Sequence, residues 1–142
     1  MLKELQEKMF NEMEQKDIFR QAQKYAFDYA DNVFKRHVYP KPDAIADLDE
    51  FVEKLPESVG NSSELLKKLN RYGAPASTAQ VGGRYFGFVN GGVVPVSLAV
   101  RWLSDFWDQN TALHAMSPVA AKLEEICESW LKELVGLPQK VV

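Results

Sequence analysis

Five glycines, Gly82, Gly83, Gly87, Gly91 and Gly92, fall within eleven positions and surround Tyr85, Phe86 and Phe88. Each glycine loses more backbone freedom on folding than any other residue, so this density marks a shaped surface rather than a helix or strand interior. The stretch continues through an apolar, Trp-rich segment and closes on Asn110, His114 and Ser117-Pro118. A glycine-rich loop ahead of a helix could cradle a phosphate on its amides. Here no Gly-Lys-Ser/Thr follows, and the Gly-x-Gly-x-x-Gly order is not met. His114 near Ser117 lacks an oriented acid or base partner, so nucleophilic catalysis is not supported. What remains is a surface of aromatics set between glycines, read as part of an active site whose remainder is missing from this chain.

Composition narrows the classes. The 142 residues carry a net charge of −3 with acids and bases interleaved, which leaves no basic face for a phosphate backbone and excludes a general nucleic-acid binder. Cys127 is the single cysteine, so an intrachain disulfide is impossible. His37 and His114 have no paired spacing, which argues against a metal centre. The N-terminus is charged throughout and is not a signal peptide. The longest apolar run, Gly91 to Val100, is about half a membrane span and contains Pro95. A cytoplasmic setting without membrane association is the expectation.

The elements that must position the glycine-aromatic stretch read as helices. Leu2, Leu5, Met9 and Met13 form one helical stripe. Asp17 is a candidate cap for a second helix whose broad apolar surface (Ile18, Tyr25, Tyr29, Val33, widened by Phe19, Phe27 and Phe34) needs cover on more than one side. Tyr39-Pro40-Lys41-Pro42 ends it. A third helix is expected over 43–55. A fourth follows Asn61-Ser62-Ser63 and stops at Gly73, with 74–84 as a loop. Tyr85 to Val89 could be a brief extended segment. Pro95 then opens a helix with Leu98, Ala99, Trp102, Leu103 and Phe106 inward. Ser117-Pro118 starts a last helix that buries Leu123, Ile126, Cys127, Trp130 and Leu131 and stops at Gly136. The fold class expected is mainly α. Gln139-Lys140-Val141-Val142 ends no domain and looks cut off.

Taken together, GRYFGFVNGG, then WDQN, then MSPVAAKLEEICESWLKELVGLP, resemble the N-terminal region of the pyridoxal-phosphate-dependent group II amino-acid decarboxylases, which include the glutamate and aromatic amino-acid decarboxylases. The resemblance is best from Gly82 to Pro138; over residues 1–81 only the pattern of helices agrees. It implies a helical flap over 1–81 that embraces the partner subunit of a homodimer. It implies, for 82–142, a pocket loop and the first helices of a large transferase-type domain absent from this chain. By resemblance, Phe88, Val89, Asn90 and Gly91 line the pocket for an amino-acid substrate, and Asn110 to Ala112 reach the pocket of the opposite subunit. Asn110 matches an asparagine that glutamate-specific members place near the substrate carboxylate.

The resemblance also implies what is missing. The family draws its Schiff-base lysine, its acid on the pyridine nitrogen, a stacking histidine and a phosphate-binding loop from the large domain. Lys122, Lys132 and Lys140 are expected on a solvated helix or in the tail, where a lysine is a poor nucleophile. The expectation is therefore pyridoxal phosphate in the full-length parent, none held by this chain alone, and no catalytic residue here. The alternative is a self-standing helical interaction module that buries its helices within itself as a monomer.

Overall fold

The computed structural model describes residues 2–138 and is helical, with no strand among them. Seven helices follow in order: α1 (Leu2–Gln15), α2 (Asp17–Asn32), α3 (Pro42–Ala46), α4 (Ser62–Lys68), α5 (Ala74–Ala76), α6 (Pro95–Trp107) and α7 (Pro118–Leu134). A 3₁₀ turn extends α2 over Val33–Lys35, another follows α3 over Asp47–Phe51, and a π turn, Leu69–Gly73, joins α4 to α5. The chain divides into two compact units between Gly92 and Val93. The reading of Gln139 to Val142 as a cut end, Lys140 included, lies outside the described residues.

In the first unit α2 packs against α4. Gln21 Nε2 donates to the Ser63 carbonyl at 3.0 Å while Ser63 Oγ donates back to Gln21 Oε1 at 2.8 Å. Two turns along, Ser77 Oγ donates to Tyr29 Oη at 3.2 Å, tying α2 to the end of α5. Phe51 meets Tyr72 edge to face at 6.2 Å, which seats the 3₁₀ turn on the π turn. The fully buried apolar residues are few: Val33 and Ala79 among those described.

Three helix ends are where the sequence places them. Asn61 Oδ1 accepts from the Glu64 amide at 3.1 Å and caps α4. Ser117, wholly buried, accepts from Ala120 N at 3.4 Å and caps α7. Gly136, at φ 70°, ends α7: its amide reaches the Glu133 carbonyl (3.2 Å) and the Leu137 amide reaches Lys132 (2.8 Å). Those two bonds make a Schellman closure.

Four expectations are corrected. The residue before α2 is Lys16, in the left-handed region at φ 61°, and Asp17 sits inside the first turn, where it pairs with Arg20 at 2.8 Å. The helix expected over 43–55 ends at Phe51, where Val52 turns extended; Val52 and Leu55 find no cover and stay exposed. Gly73 does not stop α4, because its φ of −76° is helical and the chain runs on through Ala76. Apolar faces expected to turn inward on α6 and α7 are open: Leu98, Trp102, Leu103, Phe106, Leu123 and Leu131 are exposed, Trp130 is 67% exposed, and Cys127 is exposed. A stripe fixes which side of a helix is apolar; cover must come from another surface.

Candidate functional site

The glycine-aromatic loop is moored at its base and strained at its tip. The Ala79 amide donates to the Val38 carbonyl at 2.9 Å, and the Arg84 guanidinium donates to the Arg36 carbonyl. Gly82 is buried, and a Cβ there would lie 3.3 Å from Val33 Cγ2, so a larger residue would have to push the Val33 side chain back by a few tenths of an ångström. The Gly92 amide closes the loop on the Gln80 carbonyl at 3.4 Å. At the tip, the expected extended segment is instead a tight turn. The Asn90 amide donates to the Gly87 carbonyl at 3.1 Å, and both residues between them are left-handed, Phe88 at φ 54° and Val89 at φ 57°. Two positive φ values define a mirror-image turn that favours Asn-Gly; a β-branched valine there is a genuine outlier. Phe86, Phe88 and Val89 point outward, 93%, 90% and 107% exposed.

The structure thus brings Phe88, Val89, Asn90 and Gly91 together in one turn at the end of the first unit, with Gly91 at φ 134°. Asn110 and Ala112 lie together in the second unit, in the turn after α6. Asn110 Oδ1 accepts from the Ala112 amide at 3.0 Å, an Asx turn that fixes the side chain on its own loop. Asp108, left-handed at φ 47°, ends α6 and starts that turn. Ser117 is committed to its cap, so His114 and Ser117 make no nucleophile pair.

One feature escapes the sequence reading. An open cleft of about 530 Å³ lies in the first unit, between the C-terminal half of α2, residues 36–47 and the chain around Ala74. Its walls include Tyr25, Tyr29, Tyr39, Arg36, His37 and Lys41, with Asp28, Asp43 and Asp47 beside them. Arg36 lies 4.4 Å over the Tyr29 ring and donates to the Ala74 carbonyl. The sequence signal is slight: Arg36, Tyr39 and Lys41 fall close together, but Tyr39-Pro40-Lys41-Pro42 reads only as a helix end.

Most charged pairs elsewhere are solvated; an exception is Lys132, expected on a solvated face, whose side chain is only 17% exposed where it pairs with Glu128. Lys24, Lys67 and Lys122 are each held above the ordinary lysine value by a hydrogen-bonded carboxylate, Asp28, Glu64 and Glu125 respectively. The Lys122 ammonium in turn holds Glu125 below the ordinary carboxyl value. No group of histidine, cysteine and carboxylates among the described residues could hold a metal. Pyridoxal phosphate needs a lysine in a closed, water-excluding site. Lys41 is exposed on an open cleft, and Lys67 and Lys68 pair with Glu64 (2.6 Å) and Glu53 (3.1 Å). These lysines do not fit the cofactor. Among the described residues no helix is long and apolar enough to cross a membrane.

Neither a protein-family model, nor a curated protein, nor a solved structure matches the chain.

Proposed function

We propose that this chain acts as the N-terminal region of a pyridoxal-phosphate-dependent amino-acid decarboxylase. In that role it embraces a second copy and lends apolar walls to a substrate pocket, while the covalent chemistry is supplied from elsewhere. The observation that carries the proposal is the exposure of large apolar side chains within each unit: Phe88 and Val89 at the loop tip of the first, and Leu103, Trp107, Leu123 and Trp130 on α6 and α7 of the second. Folded monomers seldom leave apolar patches of this kind uncovered. A self-contained interaction module would bury these helices within itself, so the open faces weigh against it.

In this reading Phe88, Val89, Asn90 and Gly91 form a pocket wall, and their strained turn keeps its shape because the surrounding protein holds it. Asn110 and Ala112 form the second contact, reaching an amino-acid substrate bound by the opposite subunit. The same proposal places the protein in the cytoplasm and gives pyridoxal phosphate to the assembled enzyme.

An antibody raised against this chain tests the proposal on the native polypeptide. Capture of a polypeptide several hundred residues longer, carrying a borohydride-trapped pyridoxyl-lysine outside residues 1–142, supports it. A native polypeptide that carries no such lysine, alone or in complex, overturns it.

A further inference from the structure

We propose that the cleft beside α2 is a binding site for a small organic monocarboxylate with a planar apolar body, gripped through Arg36. Nothing in this depends on the decarboxylase reading.

Arg36 is half-buried, yet it forms no ion pair among the described residues, although three aspartates line the same cleft. Its fixed contacts are the Tyr29 ring beneath it and the Ala74 carbonyl. A guanidinium has five N–H donors in a rigid fork, so one carbonyl leaves most of them unused. Stacking on a tyrosine holds the fork in place before any ligand arrives, which suits a planar oxyanion. Two of the three aspartates are engaged: Asp28 pairs with Lys24 at 2.6 Å, and Asp43 Oδ1 accepts from the Ala44 amide at 2.9 Å.

The lining also selects among anions. Lys41 adds a second cation, but Asp28, Asp43 and Asp47 set a negative background that a dianion would meet at higher cost than a monoanion. Tyr25 and Tyr39 offer ring faces for an apolar body, and Tyr39 is 69% exposed, with surface still to cover. A volume near 530 Å³ is within the range of small-molecule sites.

Benzoate is the probe. Titrated into the full chain and followed by amide NMR, it should shift Arg36, Tyr39 and Ala74 saturably, with half-saturation at about 1 mM. Arg36→Lys keeps the charge and loses the fork, and should weaken binding about tenfold. Tyr39→Ala and Lys41→Gln alter exposed side chains and leave the fold intact, so they decide the matter if Arg36→Lys unfolds. Each should weaken benzoate measurably. Inorganic phosphate at matched ionic strength should show no saturable shift. The proposal fails if benzoate gives none, if Tyr39→Ala and Lys41→Gln bind it unchanged, or if phosphate binds as tightly.

Discussion

The Asn90 amide donates to the Gly87 carbonyl at 3.1 Å, and this bond closes a turn around two left-handed residues that sequence preference would not choose. Left-handed backbone at non-glycine residues costs of order 1–3 kcal/mol each. Replacing Phe88 and Val89 together by Asn and Gly, the pair this turn favours, should therefore stabilise the chain by about 1 kcal/mol, even after glycine's larger unfolded-state entropy is counted. Urea unfolding checks this. Under the proposed function the same double variant should impair assembly or substrate binding in the complete enzyme, because the strained side chains are the pocket wall.

Ser117→Ala removes a buried cap at the start of α7. The Oγ to Ala120 N distance of 3.4 Å is long, so the loss should be about 0.5–1 kcal/mol. Asn61→Ala, with a shorter 3.1 Å bond at α4, should lose about 1 kcal/mol. Chemical denaturation of both variants tests the order.

Glu125 and Lys122 lie 2.8 Å apart on α7, and each shifts the other. Glu125 is held below 4.5, so its stabilising contribution is present above that value and is lost as pH falls through the lowered one. Lys122 is held above 10.5, so its contribution is present below that value and is lost as pH rises through the raised one. The pair therefore supports α7 between those limits, weakly and less so in salt, because both groups are exposed. A carboxyl NMR titration should place Glu125 below 4.5, and Lys122→Gln, which removes the largest cause, should raise it.

Incubation of the chain with pyridoxal phosphate followed by borohydride should label no single lysine stoichiometrically. Mass spectrometry reads the result, and a unique adduct would contradict the assignment of the covalent chemistry to residues outside this chain.

How much of this was legible depended on how local the signal was. Ser117-Pro118, Asn61 and Gly136 mark helix ends through bonds made within one turn, and all three hold. Gly73 misled because glycine permits a left-handed stop without requiring one, and here the backbone stays helical. Val52 and Leu55 continue a helical stripe, but a stripe with nothing to cover it gains no packing, and the helix ends at Phe51. Cys127 and Trp130 lie on an apolar face, as read; whether that face is covered is a property of neighbouring surfaces that periodicity does not carry. The strained turn at Phe88 and Val89 was invisible for a related reason, since their residue types argue against the conformation they adopt. The cleft at Arg36 needed the fold, because Tyr25, Lys41 and Ala74 come together only when α2 and α5 are in place.

The central claim is that the apolar faces of this chain are completed by another copy, and sedimentation with an apolar-surface dye tests it most directly. A dilute sample should bind the dye, and dye binding should fall as a dimer forms with rising concentration, with Trp107 and Trp130 losing access to a soluble quencher. A monomer that persists at high concentration and binds no dye would contradict the claim, because its apolar helix faces would then be covered within a single chain.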